Sequence, residues 1–303
     1  MQLKTILSLA AVASLFCGCV TDNTCDSKRI QPVEYVVFVG LDGLSSRSVT
    51  RVKPPTFQRI MREGAWTLES RSMLPSASSC NWHSLFTCAA SEQHGYIAWN
   101  SQKPAFKPSA LNENGVFPDV FSELKKQKPE ETSAFIYEWG GMQYTVDTNA
   151  IAKIVRTKNP AETEKATAEA IASKKYRFIA AVSDAPDGDG HRHGWDSPEY
   201  DKRVMALDAW VGRVIEQIER AGIADRTVLV VSSDHGGEAK GHGRATLNDM
   251  ERPVFIWGPN VRKGYKLGFG GTIYDTGATL AALLGIDFHH AWIGRPFTEA
   301  FER

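Results

Sequence analysis

Tyr35-Val-Val-Phe-Val-Gly-Leu41 is the stretch that decides the fold, a continuous apolar run that ends at Asp42. Because residues on both alternating faces of the run are apolar, it is typical of a strand buried on both sides, as in a parallel sheet covered by helices. Further strands are predicted at 66–72, 133–137, 178–182, 227–231 and 253–257, and helices at 55–63, from about 78 to 90, and at 117–126, 162–175, 198–221 and 275–284. This alternation predicts an α/β fold with a mostly parallel central sheet and helices on both faces.

Length and charge limit the class of protein. The chain has 303 residues, with 35 lysines and arginines against 35 aspartates and glutamates. Balanced charge without a run of like charges predicts no nucleic-acid-binding patch. Since neither repeats nor an internal linker interrupt the pattern, residues 34–303 are predicted to form a single catalytic domain.

The N-terminus has the pattern of an export signal. Lys4 precedes an apolar run at 6–16, which is too short to span a bilayer. The run leads into Phe16-Cys-Gly-Cys19, which resembles a bacterial lipobox. We therefore expect a lipoprotein signal peptide at 1–18, a lipid on Cys19 that binds the chain to a membrane, and a polar tether at 19–33. An ordinary signal peptide is the alternative, and either one predicts a periplasmic or cell-surface protein.

Acidic and histidine side chains follow three of the predicted strands. They are Asp42 after the first strand, Asp184, Asp187 and His191 after 178–182, and Asp234, His235 and His242 after 227–231. Ligands of open parallel sheets bind beyond the carboxyl ends of the strands. Carboxylates and imidazoles bind divalent metals, and a set of this size predicts more than one ion and chemistry on a phosphate or sulfate ester. A single aspartate in such a place is more often a helix cap, so the prediction depends on the convergence.

A candidate nucleophile lies in Pro75-Ser-Ala-Ser-Ser-Cys-Asn81. Ser78 stands where the chain enters a predicted helix, so that unpaired backbone N–H groups would face an incoming anion. Asn81, one turn later, would place its amide on the same side. Alternatively, Ser78 or Ser79 is only the helix cap, and the spacing by itself does not decide between these readings.

Five short motifs occur in the order typical of one enzyme superfamily. They are Leu41-Asp42-Gly43, Pro75-Ser-x-Ser78-x-x-Asn81, Asp187-x-x-Gly190-His191, Ser233-Asp-His-Gly236 and His242-Gly243. In this order the chain resembles the alkaline phosphatase superfamily, and within it the type I phosphodiesterase/nucleotide pyrophosphatase branch. The resemblance extends from about Tyr35 to Pro296 and implies an alkaline-phosphatase-like fold.

The resemblance also implies a metal-dependent hydrolase of phosphate esters. Two divalent ions, usually zinc in this family, would be bound by two sets of residues: Asp42, Ser78, Asp234 and His235 for one ion, and Asp187, His191 and His242 for the other. A small phosphate ester would be attacked by Ser78 to give a phosphoserine. Asn81 and the Ser79 backbone N–H would bind a phosphate oxygen.

The chain departs from the branch beside the nucleophile. The branch usually has threonine followed by Phe-Pro-Asn, whereas here Ser78 is followed by Ser79-Cys80-Asn81, so the preference for nucleotides stays open. Cys80-Asn-Trp-His-Ser84 lacks the proline and arginine of a formylglycine site, which argues against a sulfatase. A phosphomonoesterase or phosphonate hydrolase, and a non-catalytic surface protein with this fold, are the alternatives.

Residues outside the motifs carry weaker expectations. Trp99, Tyr137 and Trp139 are candidates for stacking a planar leaving group, with a packing role as the alternative. Asp184 is expected to cap a helix or to support the ligands, and His193 to point to solvent.

Overall fold

The computed structural model describes residues 30–302. In this part of the chain, eight strands form one sheet: β1 (Tyr35–Leu41), β2 (Ala65–Arg71), β3 (Ser133–Tyr137), β4 (Lys153–Arg156), β5 (Phe178–Ser183), β6 (Thr227–Ser232), β7 (Glu251–Trp257) and β8 (Tyr265–Lys266). Their order is β4-β3-β5-β1-β6-β7-β2-β8. β7 runs antiparallel to both of its neighbours, and the other pairs are parallel. The predicted mostly parallel sheet is confirmed.

Helices cover both faces of the sheet. Those of the described residues are α1 (Ser46–Val52), α2 (Pro55–Glu63), α3 (Ser78–Thr87), α4 (Ser91–His94), α5 (Val120–Gln127), α6 (Pro160–Ser173), α7 (Asp187–His193), α8 (Pro198–Arg220), α9 (Leu247–Met250) and α10 (Ile273–Leu284). α2 has the predicted bounds, whereas α1, α7 and the edge strand β4 are absent from the sequence prediction. α7 and β4 are short, and β4 has three exposed residues and one half-buried residue, so neither carries a long apolar pattern.

β1 lies at the centre of the sheet, between β5 and β6. Its side chains alternate between two cores: Val36 and Phe38 pack in the core beneath α3, α5 and α10. Val37 and Val39 pack in the core beneath α1, α2 and α8. Since both alternating sets of the run are buried, β1 is apolar throughout, as expected for a central parallel strand.

Ile30 and Val33, which the prediction placed in the tether at 19–33, belong to the folded part of the chain. Ile30 is buried, and the Val33 backbone N–H donates a hydrogen bond to Leu283 O at 3.0 Å. The last residues of the expected tether therefore pack against α10. The predicted signal peptide, Cys19 and the rest of the tether lie outside the described residues. Between residues 30 and 302, no helix combines the length and hydropathy needed to cross a bilayer.

The N-terminus of α2 is capped from a distant element. Pro54 precedes the helix and offers no side-chain cap. The buried Asp208 carboxylate of α8 accepts hydrogen bonds from the backbone N–H groups of Thr56 (2.9 Å) and Phe57 (2.7 Å). These bonds satisfy two donors that the helix geometry leaves unpaired, and they join α2 to α8.

Replacing Asp208 with alanine removes this cap and leaves two donors unsatisfied. We expect D208A to lower the free energy of unfolding by about 1–3 kcal/mol, measured by urea denaturation. D225A, at a side chain that is 80% exposed, is the control and should stay within about 0.5 kcal/mol of wild type. Equal stabilities of the two variants would contradict a capping role for Asp208.

Candidate active site

The serine hydroxyl at the start of α3 faces a cluster of acidic and histidine side chains. Ala77 is the N-cap residue of α3 and Ser78 is its first residue, so Ser78 does not cap the helix. Ser78 Oγ lies 3.2 Å from His235 Nε2 and 3.4 Å from Asp42 Oδ1. Ser79 differs, since its hydroxyl donates to Ser101 O at 2.9 Å. Of the two serines, Ser78 is therefore the one whose oxygen faces the cluster.

Two adjoining groups of side chains make up the cluster. We call Asp42, Ser78, Asp234 and His235 the inner group, and Asp187, His191 and His242 the outer group. In the inner group, His235 Nε2 lies 3.5 Å from Asp42 Oδ1 and 3.3 Å from Asp234 Oδ2. In the outer group, Asp187 contacts His191 Nε2 at 3.5 Å and His242 Nε2 at 3.6 Å. The structure thus brings together all seven predicted metal ligands.

The three histidines share one hydrogen-bonding pattern. Each ring places Nδ1 on a backbone carbonyl: His191 on Lys240 O (3.0 Å), His235 on Gly236 O (2.7 Å) and His242 on Ser76 O (2.9 Å). When Nδ1 carries the proton, it donates to that carbonyl, and the lone pair of Nε2 is directed to the carboxylates. A backbone carbonyl behind the ring is the usual support of a metal-binding histidine.

Three carboxylates, buried at Asp42 and Asp234 and partly buried at Asp187, crowd together at this site. Burial, and then repulsion from Asp234, raises the pKa of Asp187 to about 8. The same two causes raise the pKa of Asp42, and burial raises the pKa of Asp234 to about 6. Burial also lowers the pKa of His235 to about 4 and, together with repulsion from His235, the pKa of His242 to about 3. A cation bound by these neutral imidazoles and crowded carboxylates would offset the repulsion between the carboxylates.

The residues present fit metal ions. Ligand atoms of Asp187, His191 and His242 all lie within 4.8 Å of one another, and so do those of Asp42, Asp187 and His235. Asp187 therefore adjoins both groups, which the sequence analysis did not anticipate. Two buried oxygens, Asp187 Oδ1 and Asp234 Oδ2, have no hydrogen-bond partner among the described residues. Mixed imidazole and carboxylate ligands suit zinc and related divalent ions.

Asn81 does not face the cleft, and this differs from the expectation. Its buried side chain donates to Pro75 O (3.1 Å) and Ala77 O (2.9 Å) and accepts from the Met73 N–H (2.6 Å). Helical side chains point back toward the N-terminus, so this amide reaches the loop that precedes the helix. Asn81 therefore holds in place the loop before Ser78, and its amide does not face the cleft as the expected contact with a phosphate would require.

The Ser79 backbone N–H is also committed elsewhere. It donates a hydrogen bond to Trp99 O at 3.1 Å, in the loop that follows α4. The expectation that this N–H binds a phosphate oxygen is therefore wrong for this structure. The sequence showed no sign that residues 98–101 would pack against the start of α3.

Two supporting residues were missed by the sequence analysis. Trp82, one turn after Ser78 on α3, donates its indole N–H to Asp42 Oδ2 at 2.9 Å. The Gly43 backbone N–H donates to Asp234 Oδ1 at 3.0 Å. Gly43 has a φ of +72°, and a Cβ there would lie 2.9 Å from Asp187 Cα. Gly43 could have been found from the Leu41-Asp42-Gly43 motif, and Trp82 only from its position one turn after Ser78.

The cluster opens into a cleft of about 730 Å³. Besides Ser78 and the outer group, its lining consists of Pro75, Ala77, Ala98, Trp99, Trp139, Asp184 and Gly243. Trp99 is 61% exposed, and Asp184 contributes a further carboxylate. Tyr137 is buried beside Phe135, so it packs in the core instead. His193 is exposed, as expected. Among the described lining residues there is no lysine or arginine.

Comparison with known proteins gives a match over most of the chain. The model of the family described as "Type I phosphodiesterase / nucleotide pyrophosphatase" matches residues 36–253. Bis(5'-adenosyl)-triphosphatase ENPP4 of Pongo abelii is 22% identical over 237 residues, which cover 74% of this chain and 52% of the relative. Ectonucleotide pyrophosphatase/phosphodiesterase family member 1 of Mus musculus is 25% identical over 225 residues, covering 69% of this chain and 25% of the relative. The chain thus spans about half of the first relative and a quarter of the second.

Solved structures share the fold. Murine ectonucleotide pyrophosphatase/phosphodiesterase 5, inactive and in complex with AMP, aligns with a TM-score of 0.72 at 16% identity over 90% of this chain and 100% of that chain. A 2-O GAG sulfatase aligns with a TM-score of 0.66 at 12% identity over 88% of this chain and 73% of that chain. Both likenesses bear out the alkaline-phosphatase-like α/β architecture.

The D187N variant should show separately how much the Asp187 carboxylate destabilises the metal-free protein and how much it contributes to metal binding. At about pH 9, where the Asp187 carboxyl of wild type is ionised because its pKa is about 8, we expect metal-free D187N to melt at or above the temperature of metal-free wild type, since one of three mutually repelling charges is gone. Zinc at 100 times its Kd should stabilise wild type by about 2.7 kcal/mol and D187N much less, as measured by scanning calorimetry. D189N is the matched control on α7, since Asp189 pairs with Arg203 at 2.7 Å. An unchanged zinc effect in D187N would remove Asp187 from the ligands.

Proposed function

The chain belongs to the type I phosphodiesterase/nucleotide pyrophosphatase family, and from this premise we propose that it is a metal-dependent phosphodiesterase with Ser78 as its nucleophile. The observation that carries the proposal is the position of Ser78 Oγ. It stands at the N-terminus of α3 and contacts His235 Nε2 and Asp42 Oδ1 at 3.2 and 3.4 Å. A hydroxyl held in this way faces both the cleft and the ligands that would activate it.

The inner group would hold one ion beside Ser78 and the outer group a second ion, and we propose zinc for both. Bound there, the ions would lower the pKa of the serine hydroxyl and of a water molecule and offset the negative charge of the phosphate. The Ser78 hydroxyl has one proton to donate, and Asp42 Oδ1 and His235 Nε2 are the acceptors within its reach, so these two side chains orient its oxygen. Trp82 and Gly43 hold the carboxylates of Asp42 and Asp234 in place.

The proposed reaction is a double displacement. Ser78 Oγ attacks the phosphorus, the bond to the leaving-group oxygen breaks, and an alcohol or a shorter phosphate departs with the proton. Water then attacks the phosphoserine, which restores Ser78 and releases the phosphate monoester. The phosphate must approach Ser78 from the cleft, since residues 79–87, the rest of α3, are all buried.

The lining of the cleft favours a diester over a monoester. A phosphate monoester carries one more negative charge, and the described lining offers acidic groups but no lysine or arginine to offset it. The phosphomonoesterase alternative is therefore the weaker candidate. Trp99 and Trp139 present aromatic surface beside the nucleophile, which favours a substrate with a planar group such as a nucleotide base. AMP, bound by the murine relative of known structure, is a molecule of this kind.

The location and domain limits are also proposals. We propose that residues 34–303 are the catalytic domain and that the buried Ile30 packs with it. The lipobox-like Phe16-Cys-Gly-Cys19 supports export with a lipid on Cys19, so that the enzyme would act in the periplasm or at the cell surface. Metabolic labelling with a fatty acid, compared between wild type and C19A, tests the anchor.

Removal of the nucleophile tests the reaction directly. We expect S78A to lower kcat for bis(p-nitrophenyl) phosphate on the order of 10⁴-fold or more, because the attacking atom is lost. S79A is the matched control, since the Ser79 hydroxyl is bonded to Ser101 O away from the cleft, and it should keep most of the activity. The mono-ester should react more slowly than the diester, and a chelator should abolish both activities. Full activity of S78A would show that Ser78 is not the nucleophile.

Aromatic stacking in the cleft can be tested with two diesters that share a leaving group. W99A should raise KM for thymidine 5′-(p-nitrophenyl phosphate) by roughly 5- to 150-fold, since one stacked base contributes about 1–3 kcal/mol. KM for methyl p-nitrophenyl phosphate should change little, because this ester has no base. F269A, at a side chain that is 65% exposed and outside the cleft lining, is the control. Equal effects of W99A on both esters would argue against stacking.

A further inference from the structure

Trp195 lies behind the outer group and has no part in the mechanism described so far. Its side chain is fully buried, and the indole N–H donates to Gly43 O at 2.9 Å. The indole meets the His191 ring at 5.3 Å and 84°, and the His242 ring at 5.9 Å and 65°. One side chain therefore contacts two imidazoles of the outer group, of which His191 comes from α7 and His242 from the loop after β6.

Two glycines make room for this indole. A Cβ at Gly190 would lie 2.7 Å from the Trp195 ring, and a Cβ at Gly237 would lie 2.2 Å from it. Neither glycine has a positive φ, so the backbone conformation does not require glycine at these positions. The close approach of the indole does require it, because Cβ atoms do not approach other atoms so closely. Positions 190, 195 and 237 thus form one packing unit.

The same indole is connected to the inner group through Gly43. The Gly43 carbonyl accepts the Trp195 N–H, and the Gly43 N–H donates to Asp234 Oδ1 at 3.0 Å. The Trp195 backbone N–H also donates to Ala239 O at 2.9 Å, in the loop that leads to His242. Trp195 therefore ties together the segments after β1, β5 and β6 that supply the ligands.

His191 has the greatest need of such support. Its side chain is 47% exposed and lies in the last turn of α7. A half-exposed histidine loses rotamer freedom when it binds a metal, and this loss weakens binding unless the ring is held beforehand. The indole edge restricts the ring on one side, and the Lys240 carbonyl fixes its Nδ1.

We propose that Trp195 is a positioning residue for the outer ion: it holds the rings of His191 and His242 in the orientation that binds metal. This inference rests on the metal sites of the proposed function and adds to them a residue that touches neither the ions nor the substrate. Its effect falls mainly on the outer group, since the indole contacts the His191 and His242 rings directly and reaches the inner group only through the Gly43 backbone.

Metal binding without substrate tests the inference. Apo protein is titrated with zinc by isothermal titration calorimetry, and the zinc retained after dialysis is measured by elemental analysis. Wild type should bind two ions, and W195L should bind the outer ion, identified as the one lost in H191A, at least about tenfold less tightly while the Kd of the inner ion changes much less. W195F, which keeps an aromatic edge but loses the N–H bond to Gly43, should lie between wild type and W195L. H191A serves as the benchmark for loss of the outer ion.

A second variant keeps the test valid when W195L folds poorly. G237A drives a Cβ into the indole and should weaken the same ion in a chain that still has Trp195. In the double variant G237A/W195L, the added methyl group meets no indole, so its zinc affinity should be no lower than that of W195L alone. This non-additivity is not expected from a general loss of stability.

The outcomes distinguish the inference from the function on which it rests. Two ions bound with wild-type affinities in W195L, together with a lowered melting temperature, would show that Trp195 is only a packing residue and would overturn the inference. Equal weakening of both ions would overturn it as well. Failure of wild type to bind any zinc would refute the zinc sites of the proposed function instead.

Discussion

Three closely spaced carboxylates, two of them buried and one partly buried, impose the constraint on which this structure depends. Asp42, Asp187 and Asp234 follow three different strands, and burial raises the pKa of each, with repulsion from Asp234 adding to the rise at Asp42 and Asp187. Such a cluster is unfavourable in an apolar interior unless hydrogen bonds or cations offset its charge. Trp82 and Gly43 donate hydrogen bonds to Asp42 and Asp234, and two carboxylate oxygens without partners remain for metal ions.

The parallel sheet explains why these groups meet. β5, β1 and β6 are adjacent and run in the same direction, so the residues that follow them emerge side by side at one edge. α3 starts at the same edge and presents Ser78 to the cluster. Small residues are needed where so many segments converge, and Gly43, Gly190 and Gly237 each lie where a Cβ would collide with a neighbour. The site is therefore a product of tight packing between loops as much as of its ligands.

Features that depend on neighbouring residues could be predicted from the sequence, whereas contacts between distant segments could not. Long apolar runs and strand-end aspartates are local patterns, so the sequence predicted the sheet and, with the family resemblance, the seven side chains that the structure brings together. Asn81 was misplaced because its spacing gives its face of the helix but not the loop that folds over it. The Ser79 N–H was misassigned because the carbonyl of Trp99, which accepts its hydrogen bond, belongs to a loop without a readable pattern. Trp195 carried no signal at all, since an indole beside a glycine-rich segment has many uses.

The sequence by itself determined the α/β class, the burial of the Tyr35–Leu41 strand on both faces and the chemical types of the proposed ligands, because these follow from apolar periodicity and from residues next to strand ends. The tertiary structure decided which serine faces the ligands, that Asp187 adjoins both groups, and that Asn81 and Trp195 support the site from behind. The physical reason is that hydrogen-bond partners and close packing arise between segments that are distant in the chain. Local sequence specifies the direction and burial of an element, whereas only the assembled sheet brings three repelling carboxylates and their supporting groups into one place.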